Sequence, residues 1–304
     1  MATSRLALDE ALDLFLTAML AEGASQNTVT TYRETVGRFI QFVREQGCES
    51  VQDVDTATLR LWMIRCREQG LSPHSLYNYF RHPRRWFNWL LQEGLIQETL
   101  FSRMKAPRVP QGVKRALSEQ EIRQLRNACN GKHWMNLRDK ALILLLLSTG
   151  LRAAEAHQLR VGDTDKDALL IRGKGNKQRV VPLLPQVRLA LKRYVTACPY
   201  IRPHEKDARL CWGSHAVPLT CDGLKQCVRD TARRAGLTTF GPHTLRRTSA
   251  TRLLQDGASM EHVRLLLGHS DYSVLRHYLN LTESDLRQTI QQHNPLKNIK
   301  ETGR

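Results

Sequence analysis

Ala141-Leu-Ile-Leu-Leu-Leu-Leu-Ser-Thr-Gly150-Leu-Arg-Ala-Ala-Glu155 opens on seven consecutive apolar residues and closes on an arginine and a glutamate three apart. A run with no polar stripe marks a helix covered on all sides. It is far shorter than the ~20 apolar residues that span a bilayer, so it reads as the core of a globular domain. Gly150 is the residue type that ends such a helix in the left-handed conformation. Arg152 and Glu155 then fall on one face of the next helix. Taken alone, this is a helix–turn–helix junction carrying a surface ion pair.

Upstream of this core, apolar spacing near 3.6 dominates the first hundred residues. Leu8, Leu12, Phe15, Leu16 and Met19 form one stripe, ended by Gly23. A second helix begins near Asn27 or Thr28, carries Tyr32, Val36, Phe39, Ile40 and Val43, and closes at Gly47. Asp55 caps a third with Leu59, Trp62 and Met63, and a fourth runs from about Ser72 to Glu93. Pro83 inside that last pattern is expected to kink or break it. Four helices on short loops read as a small bundle. The periodicity then stops, and residues 102–112, with Arg103, Lys105, Arg108, Pro107, Pro110 and Gly112, read as an extended basic linker. Ser118-Glu-Gln-Glu121 has the form of a capping box, so a second domain starts near residue 113.

Downstream, Ala168–Arg172 and Gln178–Leu183 are strand-like runs bracketing Gly173-Lys174-Gly175-Asn176-Lys177, which predicts a β-hairpin with Lys174 at its tip. A turn lysine is commonly only solvated, yet a hairpin can also hold one out where a polyanion would lie. Neither a P-loop nor a dinucleotide glycine pattern is present. Gly241-Pro-His243-Thr-Leu-Arg246-Arg247 opens another helix with His243 and Arg246 on one face of its first turn. Cations are unfavourable at that end unless an anion offsets them. Finally, Leu265-Leu-Leu-Gly268-His269-Ser270 is followed nine residues after the histidine by Tyr278, which by itself fits a core or rim position.

The whole chain of 304 residues has the length of two domains. It can bury about three quarters of its unfolded surface without metal or disulfide staples. Asp9, Glu10 and Asp13 near the N-terminus argue against a signal peptide, so secreted, membrane-spanning and collagen-like classes are excluded. The net charge is +17, and all of it lies beyond residue 106, because residues 1–106 hold twelve basic and twelve acidic side chains. Either a solvated face or a polyanion partner accounts for this, most often nucleic acid. The seven cysteines include no Cys-x-x-Cys. Cys211, His215, Cys221 and Cys227 match no common zinc spacing, so reduced thiols and no metal are expected.

The order Arg152, Lys174, His243-x-x-Arg246, His269, Tyr278, with Gly-Leu-Arg-x-x-Glu155 at its start and Leu-Gly-His-Ser before the tyrosine, resembles the tyrosine recombinase (phage integrase) family. Ser25-x-x-Thr28-x-x-x-Tyr32 is similar to that family's core-binding domain, and the length to its compact Xer-type and transposon-encoded members. There are departures: Arg247 stands where His is common, Val-Leu-Arg-His-Tyr278 replaces Thr-Thr-x-x-Tyr, and Thr99-Leu-Phe101 replaces Asn-Pro.

The resemblance implies a mainly α protein. A helical DNA-binding domain over 1–101 and a mostly helical catalytic domain over 113–304, with a small antiparallel sheet and a tail helix, would form a clamp around DNA. It implies Tyr278 as nucleophile giving a 3′-phosphotyrosyl link, with Arg152 and Arg246 on the phosphate oxygens, which guanidinium forks suit better than ammonium does. Glu155 would support Arg152, His269 would add a hydrogen bond, His243 would assist proton movement, and Lys174 would be the acid for the departing 5′-oxygen. No cofactor is implied. Arg60, Arg65, Arg67, Arg81, Arg84, Arg85, Lys105, Arg108, Lys114, Arg115, Lys177 and Arg247 would contact the duplex, mostly its phosphates. The expected partner is double-stranded DNA with paired recombination sites, bound by a homotetramer, or a heterotetramer with a related recombinase, in the cytoplasm with the nucleoid. A type IB topoisomerase, a telomere-resolving enzyme and a catalytically silent DNA-binding relative are the alternatives.

Overall fold

The 3.6-residue spacing of the first hundred residues becomes α1 (Leu8–Ala21), α2 (Gln26–Glu45), α3 (Thr56–Glu68) and α4 (Pro73–Gln92) in the computed structural model, which describes residues 5–109, 115–173, 178–202 and 204–268. Lys114, Lys174, Lys177, His269, Tyr278 and the expected tail helix lie outside the described residues. Local capping sets the starts: Ser25, Asp55 and Ser72 accept from the backbone N–H of Thr28, Thr58 and Ser75. Because Ser25 is the cap, α2 begins slightly earlier than its apolar spacing suggests. The stripes meet in one core, where Trp86 is fully buried and its indole donates to the Ala11 carbonyl at 3.2 Å. Leu100–Arg103 form a 3₁₀ turn that seats Phe101 against Phe80 and Phe87, with ring centroids 5.5 and 5.6 Å away.

The expected break at Pro83 does not occur, and α4 is a single helix through it. Proline deprives the carbonyl four residues earlier, that of Tyr79, of its helical donor. The Trp62 indole of α3 donates to that carbonyl at 3.1 Å. A tertiary hydrogen bond thus replaces the missing one, and Pro83 is buried within the bundle.

The chain divides into two units, Met1–Gly112 and Val113–Arg304. In the second, Ser118 and Glu121 make the capping box in both directions and open α5 (Glu119–Asn127). The apolar run lies in α6 (Trp134–Thr149), whose Ala141, Leu142, Ile143, Leu145 and Leu146 are all buried. Three helices pack around α6: α8 (Pro185–Ala197), α9 (Cys221–Arg234) and α10 (Pro242–Gln255). Between α6 and α8 come the short α7 (Ala153–His157) and the hairpin of β1 (Ala168–Arg172) and β2 (Gln178–Pro182), antiparallel with Ala168 opposite Pro182. Leu169, Ile171 and Val181 point inward. The last described helix, α11 (Met260–Leu267), packs on β2 and α10. Among the described residues the protein is therefore mainly helical, with one small antiparallel sheet.

Candidate active site

Two helix ends meet at the centre of the second unit. α6 stops at Gly150, with φ +61°, and a Cβ there would lie 2.3 Å from Leu267 Cδ2. Only glycine meets both demands, the left-handed backbone and the close approach of α11. Arg246, the fifth residue of α10 and only 4% exposed, bridges the two ends. Its Nη1 donates to the Gly150 carbonyl at 2.7 Å and its Nη2 to the Leu267 carbonyl at 2.8 Å. The cation thus sits at two helix C-termini, where the peptide dipoles favour it.

Arg152 is the N-cap of α7 rather than part of the helix, and Glu155 folds back onto it. Glu155 Oε2 accepts from the Arg152 backbone N–H at 2.8 Å and Oε1 from Arg152 Nη1 at 3.0 Å. The pair is not the surface ion pair that the local sequence suggests, because Glu155 is buried. Arg179 of β2 supplies the reason: its Nη1 and Nη2 fork the same carboxylate at 2.9 and 2.8 Å. Burial by itself would raise the Glu155 carboxyl. The Arg179 fork, the Arg152 N–H and the two positive charges outweigh it and hold the group below the usual carboxylate range. Arg152 Nη2 reaches the Gly268 carbonyl at 3.4 Å.

His243 stands beside these groups on the first turn of α10 and keeps access to solvent. Partial burial lowers the pKa of its ring, and the charges of Arg246, Arg152, Arg247 and Lys225 push it the same way. The imidazole is therefore neutral at pH 7 and able to accept a proton. Three guanidiniums against one carboxylate leave an excess of positive charge here, which suits an anion with several oxygens. Arg152, Glu155, His243 and Arg246 are thus brought together by the fold, while Lys174, His269 and Tyr278 fall outside the described residues. Arg179 was missed by the sequence reading. The available signal was its place in β2, two positions before inward Val181, where strand alternation calls for an apolar side chain.

The basic surface residues divide into two groups. Arg60, Arg65, Arg81, Arg84, Arg85, Lys105 and Arg108 are exposed, and among the described residues no carboxylate pairs with them. Two of the three acids of α1 are answered on α2, where Arg33 pairs with Asp13 at 3.2 Å and Arg44 with Asp9. Aromatic faces support two of the free arginines: Arg81 lies over Tyr77 and Arg85 over Tyr32. Arg115 is instead engaged by Glu121, both contacts at 2.6 Å, and half-buried Arg247 donates to the Arg115 carbonyl. Among the described residues no three His, Cys, Asp or Glu side chains gather to hold a metal, and no helix is long and apolar enough to cross a membrane.

Residues 115–285 match the family described as Phage integrase family, and residues 12–96 match the Phage integrase, N-terminal SAM-like domain. The chain belongs to the phage integrase family. Tyrosine recombinase XerC of Bacillus subtilis (strain 168) is 30% identical over 277 residues, covering 89% of this chain and 91% of that protein. Tyrosine recombinase XerD of Shewanella oneidensis (strain ATCC 700550 / JCM 31522 / CIP 106686 / LMG 19005 / NCIMB 14063 / MR-1) is 30% identical over 292 residues, covering 94% and 97%. The Tn1549 transposon integrase in complex with circular intermediate DNA shares the fold, with a TM-score of 0.70 at 20% identity over 94% of this chain and 99% of that one. XerH site-specific recombinase bound to a palindromic difH substrate gives 0.68 at 22% identity, over 90% and 81%. This integrase-family chain is thus of the compact, Xer-like kind.

Proposed function

We propose that this chain breaks and rejoins DNA at specific sites through a 3′-phosphotyrosyl intermediate formed on Tyr278. It is a site-specific tyrosine recombinase. The observation that carries the chemical reading is the meeting of Arg152 and Arg246, from distant parts of the sequence, beside neutral His243.

The scissile phosphodiester lies against Arg152 and Arg246, which offset the charge gathering on its non-bridging oxygens. The Tyr278 oxygen attacks phosphorus in line, and the bond from phosphorus to the 5′-oxygen breaks. His243, uncharged at neutral pH, takes the phenolic proton, while Lys174 protonates the leaving 5′-oxygen. His269 adds a hydrogen bond to the phosphate. The energy of the broken link stays in the phosphotyrosyl bond, so a 5′-hydroxyl from another strand reverses the step and completes the exchange.

The arginines of α3 and α4, which no carboxylate pairs among the described residues, and the basic second unit both contact the duplex. Four copies of the chain, or two of it and two of a related recombinase, act on paired sites in the cytoplasm. The test is to incubate the protein with fragmented genomic DNA, denature, capture the protein and sequence the attached DNA. One recurring sequence supports site-specific recombination. Attachment without sequence preference, accompanied by relaxation of any supercoiled plasmid, would favour a topoisomerase. No attachment would refute the phosphotyrosyl reading.

A further inference from the structure

Arg179 stands outside the family pattern read from the sequence, yet it touches both halves of the proposed phosphate site. Its side chain is 12% exposed, and each of its three nitrogens already donates a hydrogen bond. It is therefore not placed to hold DNA itself. Two of those bonds fork Glu155, and the third runs from Nε to the Leu266 carbonyl at 2.9 Å.

We propose that Arg179 is a positioning residue for strand cleavage: it forks both Glu155 oxygens, limits Arg152 to a single side-chain bond there, and so leaves the charge of Arg152 only partly compensated and available to the phosphate. The inference rests on the phosphotyrosyl reading above. Its physical basis is a competition for one carboxylate. Arg152 is 38% exposed and gives Glu155 a single side-chain bond at 3.0 Å. Without Arg179, Glu155 would be a buried anion with one guanidinium in reach, and the two would close into a fork of their own. Arg152 would then be neutralised and turned from the phosphate. With Arg179 in place the carboxylate is satisfied from the other side.

The third bond extends this role to α11. Its last carbonyls, those of Leu266, Leu267 and Gly268, accept in turn from Arg179, Arg246 and Arg152, at 2.9, 2.8 and 3.4 Å. One helix end therefore registers all three arginines against one another. Gly268, with φ +66°, leaves no spare room, since a Cβ there would lie 2.9 Å from Arg179 Nη1.

The experiment measures covalent adduct formation on a nicked suicide substrate with either a normal phosphate or a methylphosphonate at the scissile position. The methylphosphonate lacks the negative charge that Arg152 would offset. Arg179→Met should bind the site normally but slow the adduct on the normal phosphate by on the order of 100-fold, as expected when a supporting change misplaces a reacting group. On the methylphosphonate the loss should shrink to a few-fold. Arg179→Lys keeps a charge beside Glu155 but cannot fork it, and it should show the same substrate-dependent loss; it serves in place of Arg179→Met should that variant fail to fold. Equal losses on both substrates, or no loss on either, would overturn the proposal. Absence of an adduct with the unaltered protein would instead refute the phosphotyrosyl reading on which it rests.

Discussion

The proton-accepting role proposed for His243 implies a pH signature for the site. Partial burial and the surrounding Arg246, Arg152, Arg247 and Lys225 lower its pKa below 6.5, so the ring stays neutral until the solution is more acidic than that. If it accepts the phenolic proton, cleavage is lost only as pH falls through this lowered value. The rate of adduct formation should thus be flat from pH 8 to about 6.5 and fall below it. Quench-flow rates across that range check it, and in His243→Gln the acid limb should disappear with most of the rate. At this scale the sequence disclosed residues whose spacing has a meaning of its own. His243 and Arg246 lie three apart near the start of one helix, and Arg152 follows a helix-ending glycine. Arg179 carried only the weaker mark of an inward strand position, two residues before Val181. Its identity is plain, but its burial against Glu155 depends on the hairpin meeting α7 and α11, which no local spacing encodes.

The elements were legible wherever their signals are local. Asp55, Ser72 and Ser118 cap their helices from within three residues, whereas the Ser25 cap went unread and α2 starts earlier than expected; the apolar stripes of α1 to α3 are the ones that become buried. Pro83 shows where that legibility stops. A proline rule looks only along one helix, whereas the partner of the stranded Tyr79 carbonyl is an indole on another. Trp62→Phe keeps most of the ring and removes that donor. It should destabilise the first unit by about 1–3 kcal/mol, the cost of a buried acceptor left without a partner. Urea denaturation of the full chain, followed by helix circular dichroism, measures this. Denaturation indistinguishable from the unaltered protein would mean that α4 tolerates Pro83 without help from α3.

For the whole molecule, charge is the quantity that the sequence states and the fold distributes. The second unit carries +16 of the net +17 and the first only +1, but pairing between α1 and α2 leaves the arginines of α3 and α4 without acidic partners among the described residues. Binding that neutralises about 6–10 phosphates should weaken by roughly 10³–10⁵ between 50 and 200 mM salt. Fluorescence anisotropy with a labelled duplex gives the slope, and a flat response would assign the charge to solvated surface. The central claim is narrower, that one tyrosine stores the broken phosphodiester. Tyr278 stands nine residues after His269, and Tyr272 six residues before Tyr278 is the alternative nucleophile. The direct measurement is a denaturing gel of each variant with a nicked suicide substrate. Tyr278→Phe should bind DNA and give no shifted band, while Tyr272→Phe should keep the band. An adduct that persists in Tyr278→Phe and vanishes in Tyr272→Phe would contradict the assignment and the register of the catalytic pattern with it.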